Sequence, residues 1–125
     1  WQGTLKNIAG AAVSAFVEKF GSDPANLKTV IGPAICQQHY EVGEDIVRSA
    51  ESLFKNDGNV IEEINGKNYF DLVEANRILL LQAGVHTVET SGVCTFCRKE
   101  DWFSHRGENG KSGRFAAVVS LDRYG

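Results

Sequence analysis

Leu27-Lys28-Thr29-Val30-Ile31-Gly32-Pro33-Ala34-Ile35 is the stretch that decides the architecture. Leu27 to Ile31 is a short apolar run rich in β-branched residues, stopped by Gly32-Pro33, and it predicts a buried strand. Tyr40-Glu41-Val42-Gly43 then opens a helix over Glu41 to Phe54, with Ile46, Val47, Ala50, Leu53 and Phe54 as its apolar stripe. Ligand sites of α/β proteins gather in loops beyond the carboxyl ends of strands. Gly32 permits close approach of another group and Pro33 stiffens the loop, although an ordinary strand-to-helix connection has the same composition.

Towards the N-terminus, Leu5, Ile8, Ala9, Ala12, Val13, Phe16 and Val17 recur at helical spacing and predict a helix over Thr4 to Phe20. Thr4 is its expected N-cap and Gly21 its left-handed stop. Towards the C-terminus, Val60 to Ile64 and Asn68 to Phe70 flank Asn65-Gly66, a strong hairpin signal. Asp71 caps a helix that runs to Gly84, with Glu74 placed for a capping box. Val85 to Thr90 predicts another strand and Glu100 to Phe103 a helical turn. Arg114 to Leu121 is apolar enough to predict a central strand covered on both faces.

The fold class expected is therefore α/β with a mixed sheet, in a single domain spanning residues 1–125. The first helix has no strand leading into it, and Met is absent from all 125 residues. Both features lead us to expect that translation begins upstream of Trp1 and that the sheet's opening strands lie there.

Composition narrows the function classes. Hydrophobic residues make up 42% and charged residues 23%, as in ordinary globular proteins, and the formal net charge is -3. Scattered basic residues with a net negative charge argue against nucleic acid or an anionic membrane as partner. No apolar run approaches the roughly 20 residues of a bilayer span, and no signal peptide is recognisable at Trp1-Gln2-Gly3. Three cysteines, Cys36, Cys94 and Cys97, form a poor disulfide framework and fit a reducing, cytoplasmic compartment.

Two segments carry candidate chemistry. Cys94-Thr95-Phe96-Cys97 has the spacing of a zinc or redox pair. The remaining donors, Cys36, His39, His86 and His105, are read as lacking a matching spacing, so packing of small thiols is preferred and no metal ligand is assigned. Trp102-Phe103-Ser104-His105-Arg106, followed by Gly107, Gly110, Lys111, Gly113 and Arg114, combines aromatic faces with a guanidinium and a glycine-rich loop. Such a set suits a purine and an anion, and equally a solvated polar loop. No Ser-His-Asp or paired-carboxylate arrangement stands out.

Taken in order, the motifs resemble one family. Trp1-Gln2-Gly3-Thr4, Gly32-Pro33-Ala34-Ile35 with Tyr40-Glu41-Val42-Gly43, Phe70-Asp71-Leu72 with Asn76 and Leu80, and Cys94-Thr95 with Phe103-Ser104-His105-Arg106 and Ser112-Gly113-Arg114 resemble the YfiH family of purine nucleoside phosphorylases. The same family is also known as multicopper polyphenol oxidase or laccase domain. The chain departs from its pattern at Gln2, at Cys36 to His39 and at His105.

The resemblance implies a three-layer α/β/α sandwich with a mixed sheet, of which this chain is the C-terminal part without the N-terminal strands. It implies a cytoplasmic enzyme that phosphorolyses adenosine, inosine and methylthioadenosine, some members also deaminating adenosine. It implies zinc held by two His and one Cys, all upstream of Trp1. Carried onto this sequence, Arg106 and Ser104 are the expected catalytic residues. Gly3, Thr4, Thr95, Phe103 and Arg114 are the expected substrate or phosphate contacts. Two alternatives stand beside it. One is a copper-dependent polyphenol oxidase, poorly matched by three dispersed histidines. The other is an inert fragment or partner-binding module that forms homo-oligomers or pairs with its missing N-terminal half.

Overall fold

The helix Leu72–Gln82 is apolar on two sides, and the rest of the chain packs around it. In the computed structural model, which describes residues 1–120, the Asp71 carboxylate caps this helix by accepting from the Glu74 amide at 2.9 Å. Glu74 does not complete the expected capping box. Its carboxylate takes a two-pronged bond from Arg77 at 2.6 and 2.7 Å, because the guanidinium lies one turn ahead on the same face. Gly84, at a φ of 92°, ends the helix.

The chain order is α1 (Gln2–Leu5), α2 (Ile8–Phe20), β1 (Lys28–Ile31), β2 (Glu41–Val42), α3 (Glu44–Phe54), β3 (Ile61–Ile64), β4 (Lys67–Phe70), α4 (Leu72–Gln82) and β5 (Thr87–Thr90). The fold is α/β with both parallel and antiparallel pairing, as expected, distributed over two small sheets. β1 pairs parallel with β5, from Lys28 opposite Thr87 to Ile31 opposite Thr90. β3 and β4 form the hairpin announced by Asn65-Gly66, whose φ angles of 53° and 75° suit the primed turn. β2 adds antiparallel to the other edge of β4. One core, with Phe54, Val60, Phe70, Ile78 and Leu79, fills the space between α3, the hairpin and α4. A second, with Val13, Leu80 and Val85, lies between α2, α4 and the parallel pair.

Five further expectations are corrected. The first helix is broken: Asn7 adopts a left-handed conformation (φ 54°) and its side chain accepts from the Gly10 amide at 3.0 Å. Asn tolerates that conformation and caps well, so Asn7 displaces Thr4 as the cap of the long helix. The second helix begins at Glu44 rather than Glu41, because Glu41 and Val42 are drawn into pairing with β4. Strand β1 is half-buried on one face and exposed on the other, where Val30 is 69% exposed.

Finally, Arg114 to Ser120 form no strand, and Val118 and Val119 are 90% and 91% exposed. No partner edge is paired to them among the described residues, and a strand needs one; Leu121 lies outside those residues. The expected turn at Glu100–Phe103 falls earlier, where Arg98 donates to the Cys94 carbonyl and Trp102 to that of Arg98. No helix among the described residues is long and apolar enough to cross a membrane.

Phe70 is fully buried. Phe70→Ala is expected to lower unfolding stability by about 3–5 kcal/mol and Asp71→Ala by about 1 kcal/mol. Glu63→Ala, on the exposed face of the hairpin, should stay within about 0.5 kcal/mol. Urea unfolding midpoints check the ranking, and equal losses would contradict the core assignment.

Candidate functional site: two loops at the end of the parallel pair

Because β1 and β5 run parallel, the segments leaving their carboxyl ends emerge side by side. They are stitched further by Ser91 donating to the Ile31 carbonyl, Ala34 to that of Val93, and Thr95 to that of Ala34, at 2.9–3.1 Å. The first segment carries Cys36, His39 and Tyr40; the second carries Cys94, Thr95 and Cys97.

The stitching gathers Cys36, His39, Cys94 and Cys97 so that their ligand atoms all lie within 4.8 Å of one another. The His39 Nδ1 stands 3.1 Å from the Cys36 sulfur and 3.5 Å from that of Cys97. The Cys94 sulfur accepts two backbone N–H groups, from Cys36 at 3.2 Å and Cys97 at 3.4 Å. Burial raises the Cys94 thiol, but these amides and the neighbouring thiols outweigh it and bring its pKa to about 6. Burial and the Cys94 sulfur push Cys36 up to about 12, and the Cys94 sulfur raises Cys97 as well. Cys94 is thus the most acidic thiol of the cluster. This set is able to hold a metal ion. Spacing alone favours thiol packing, whereas the structure brings the four donors together. The overlooked signal is that Cys36-Gln37-Gln38-His39 repeats the two-residue spacing of Cys94-Thr95-Phe96-Cys97.

On the other side of Tyr40 the chain turns tightly from Ser104 to Gly110. The Glu108 carboxylate accepts from the Ser104 amide at 2.8 Å, and the Ser104 hydroxyl accepts from the Gly107 amide at 3.1 Å. Ser104 is 3% exposed, so its oxygen builds the turn that presents Arg106. Arg106 donates from Nη1 to the Glu41 carbonyl at 3.0 Å, and its guanidinium carbon lies 5.1 Å from the centre of the Tyr40 ring. Burial raises the Tyr40 phenol, and Arg106 partly offsets this. Arg106 forms no ion pair with a carboxylate among the described residues, which leaves its charge and most of its N–H donors unspent.

A cavity of about 400 Å³ opens here, lined by Trp1, Ile35, Tyr40, Leu72, Thr95, Ser104, His105 and Arg106. It brings together three of the residues expected from sequence: Arg106, Ser104 and Thr95. Phe103 and Arg114 line a separate hollow of about 250 Å³ that shares only His105 with it. Gly3 and Thr4 line neither, and the Thr4 hydroxyl accepts from the Asn76 side chain at 3.0 Å, tying α1 to α4. A third cavity, about 410 Å³, lies between the two loops and α4, where Arg77 is engaged by Glu74. The lining around Arg106 offers a single imidazole, His105. The two-His, one-Cys zinc set implied by the family resemblance is therefore not supplied by this chain at that cavity.

Glu108→Ala removes the acceptor of the Ser104 amide. It is expected to cost about 1–3 kcal/mol and to speed amide exchange at Gly107 and Gly110. Unchanged exchange would mean that the turn is held by other contacts.

With this geometry in hand, comparison with known proteins places the chain. The family model described as multi-copper polyphenol oxidoreductase laccase matches residues 1–122. A protein of Deinococcus radiodurans named purine nucleoside phosphorylase is 37% identical over 98% of this chain and 47% of its own length. A protein from an unknown prokaryotic organism named adenosine deaminase RL5 is 32% identical over 91% of the chain and 45% of its own. The crystal structure of the YfiH protein of Bacillus licheniformis superposes with a TM-score of 0.83 at 35% identity, covering 89% of this chain and 43% of that one. The chain thus spans less than half the length of these relatives. Matched along nearly its whole length, it belongs to the multi-copper polyphenol oxidoreductase laccase family.

Proposed function

We propose that the intact protein is a purine nucleoside phosphorylase and that this chain, as the C-terminal part of a single YfiH-like domain, contributes one wall of its active site. The observation that carries this reading is Arg106, a guanidinium without a carboxylate partner among the described residues, held by the Tyr40 ring and the Glu41 carbonyl over a nucleoside-sized cavity. The names of the relatives support the same reaction class.

In phosphorolysis an oxygen of inorganic phosphate bonds to C1′ of the ribose as the C1′–N bond breaks. The bonding pair leaves with the purine, which takes up a proton. The products are free base and ribose 1-phosphate. Arg106 neutralises phosphate and holds it behind C1′, where a fixed cation acts without reorganisation. Thr95 and Ser104 add hydroxyls beside it, Ser104 chiefly by shaping the turn. Phe103 and Arg114 reach the substrate only if the hollow they line joins the main cavity once the rest of the protein is present. Gly3 and Thr4, which line neither hollow, meet substrate only if the rest of the protein extends the cavity past Trp1 to α1. The zinc of the active site would be held by residues outside this chain, and adenosine deamination is a second activity of the same site. Adenosine, inosine and methylthioadenosine are the proposed substrates, in the cytoplasm.

Exposed Ile8, Phe16, Phe20 and Val30, with Val118 and Val119, offer apolar surface for the N-terminal half, or a second copy, to cover.

The test is base release from adenosine and inosine by the intact protein. Release should require phosphate, yield ribose 1-phosphate, and fall about 10²–10³-fold in Arg106→Ala. Phosphate-independent release, or unchanged turnover in that variant, would refute the assignment. Oxygen uptake with a phenol and copper would favour the oxidase instead.

A further inference from the structure

We propose that Cys36, His39, Cys94 and Cys97 form a closed four-ligand zinc site that clamps the loops after β1 and β5 together, apart from the nucleoside cavity and independent of the phosphorylase reading. Three observations converge on it.

The first is the donor set. Three sulfurs and an imidazole, supplied as Cys-x-x-His and Cys-x-x-Cys, make one of the combinations of structural zinc centres. Soft thiolates disfavour magnesium and calcium. With all four positions filled by protein, no place is left for a water or substrate, which separates a structural from a catalytic ion.

The second is distance. With zinc–ligand bonds of about 2.0–2.3 Å, the corners of a tetrahedron stand roughly 3.5–3.8 Å apart. The four ligand atoms already lie within 4.8 Å of one another, and the His39 contacts are at 3.1 and 3.5 Å. Shifts on the order of 1 Å draw the set onto one ion.

The third is preorganisation. The two backbone N–H groups aimed at the Cys94 sulfur stabilise a thiolate, and they come from the two loops of the clamp. The His39 ring stacks on Phe96, centroids 4.2 Å apart and planes at 17°, which fixes the imidazole as outer partners of metal ligands do. Simple packing of apolar thiols does not account for Cys97, which is exposed. Zinc binding displaces the thiol protons, which pass to solvent, and no atom changes oxidation state.

The clamp would hold Tyr40, next to His39 and beneath Arg106, and Thr95, next to Cys94. It therefore supports one wall of the neighbouring cavity without touching its ligand.

Zinc content of the intact protein, purified under reductant, tests the site by mass spectrometry. Cys97→Ser should lose one zinc per chain relative to wild type, whereas Cys97→His, which keeps a donor, should retain it. In wild type, which requires no altered fold, Cys36, Cys94 and Cys97 should resist iodoacetamide until zinc is chelated, after which all three react. Equal zinc in wild type and Cys97→Ser would overturn the proposal. So would immediate alkylation of Cys97 in the zinc-replete protein, a disulfide between any two of the three, or copper in place of zinc.

Discussion

The parallel pairing of β1 with β5 is the constraint on which the rest depends. Four residues on each strand, in register from Lys28–Thr87 to Ile31–Thr90, decide where two distant loops emerge. Closing so long a loop is entropically unfavourable. The cores around α4 offset that, one side of the helix serving the hairpin and α3, the other serving α2 and the parallel pair. Once the strands are in register, Cys36 and Cys94, 58 residues apart, stand within hydrogen-bonding distance, and Thr95 lines the same cavity as Tyr40.

Beyond that junction the chain builds a second device, the turn at Ser104–Glu108. Its polar groups are satisfied internally, so Arg106 is presented rather than consumed. A cation stacked on an aromatic ring and bonded to a carbonyl keeps its charge while losing its freedom to wander. Such a group suits an anion that arrives and leaves. The Cys/His cluster and the Arg106 cavity are thus neighbours, and the proposals give them different tasks: one would stiffen the loops, the other would meet ligand.

Features set by local chemistry were legible in the sequence. Asn65-Gly66 specified the hairpin, Asp71 the start of α4, and Gly84 its end, because each acts on backbone groups within a few residues. Features set by tertiary partners were not. Nothing near Glu41 shows that β4 will claim it for a strand. The helix stripe through Leu5 and Ile8 hides the left-handed break at Asn7. The apolar run after Arg114 reads as a strand, yet no partner is paired to it among the described residues. In the site, composition singles out the stretch with Ser104 and Arg106, whereas the roles of Arg106, Ser104 and Thr95 come from the family resemblance. The Cys/His cluster was spelled out at equal spacings, but only the parallel pairing brings its halves together.

The most direct measurement is a crystal structure of the intact protein with phosphate and a nucleoside bound. The account predicts phosphate on the Arg106 guanidinium, the ribose between it and the cavity formed by Trp1, Tyr40 and Thr95, and no ligand contact from the Cys/His cluster. Phosphate seated instead in the cavity beside Gly32 and Arg77, with Arg106 turned to solvent, would contradict it.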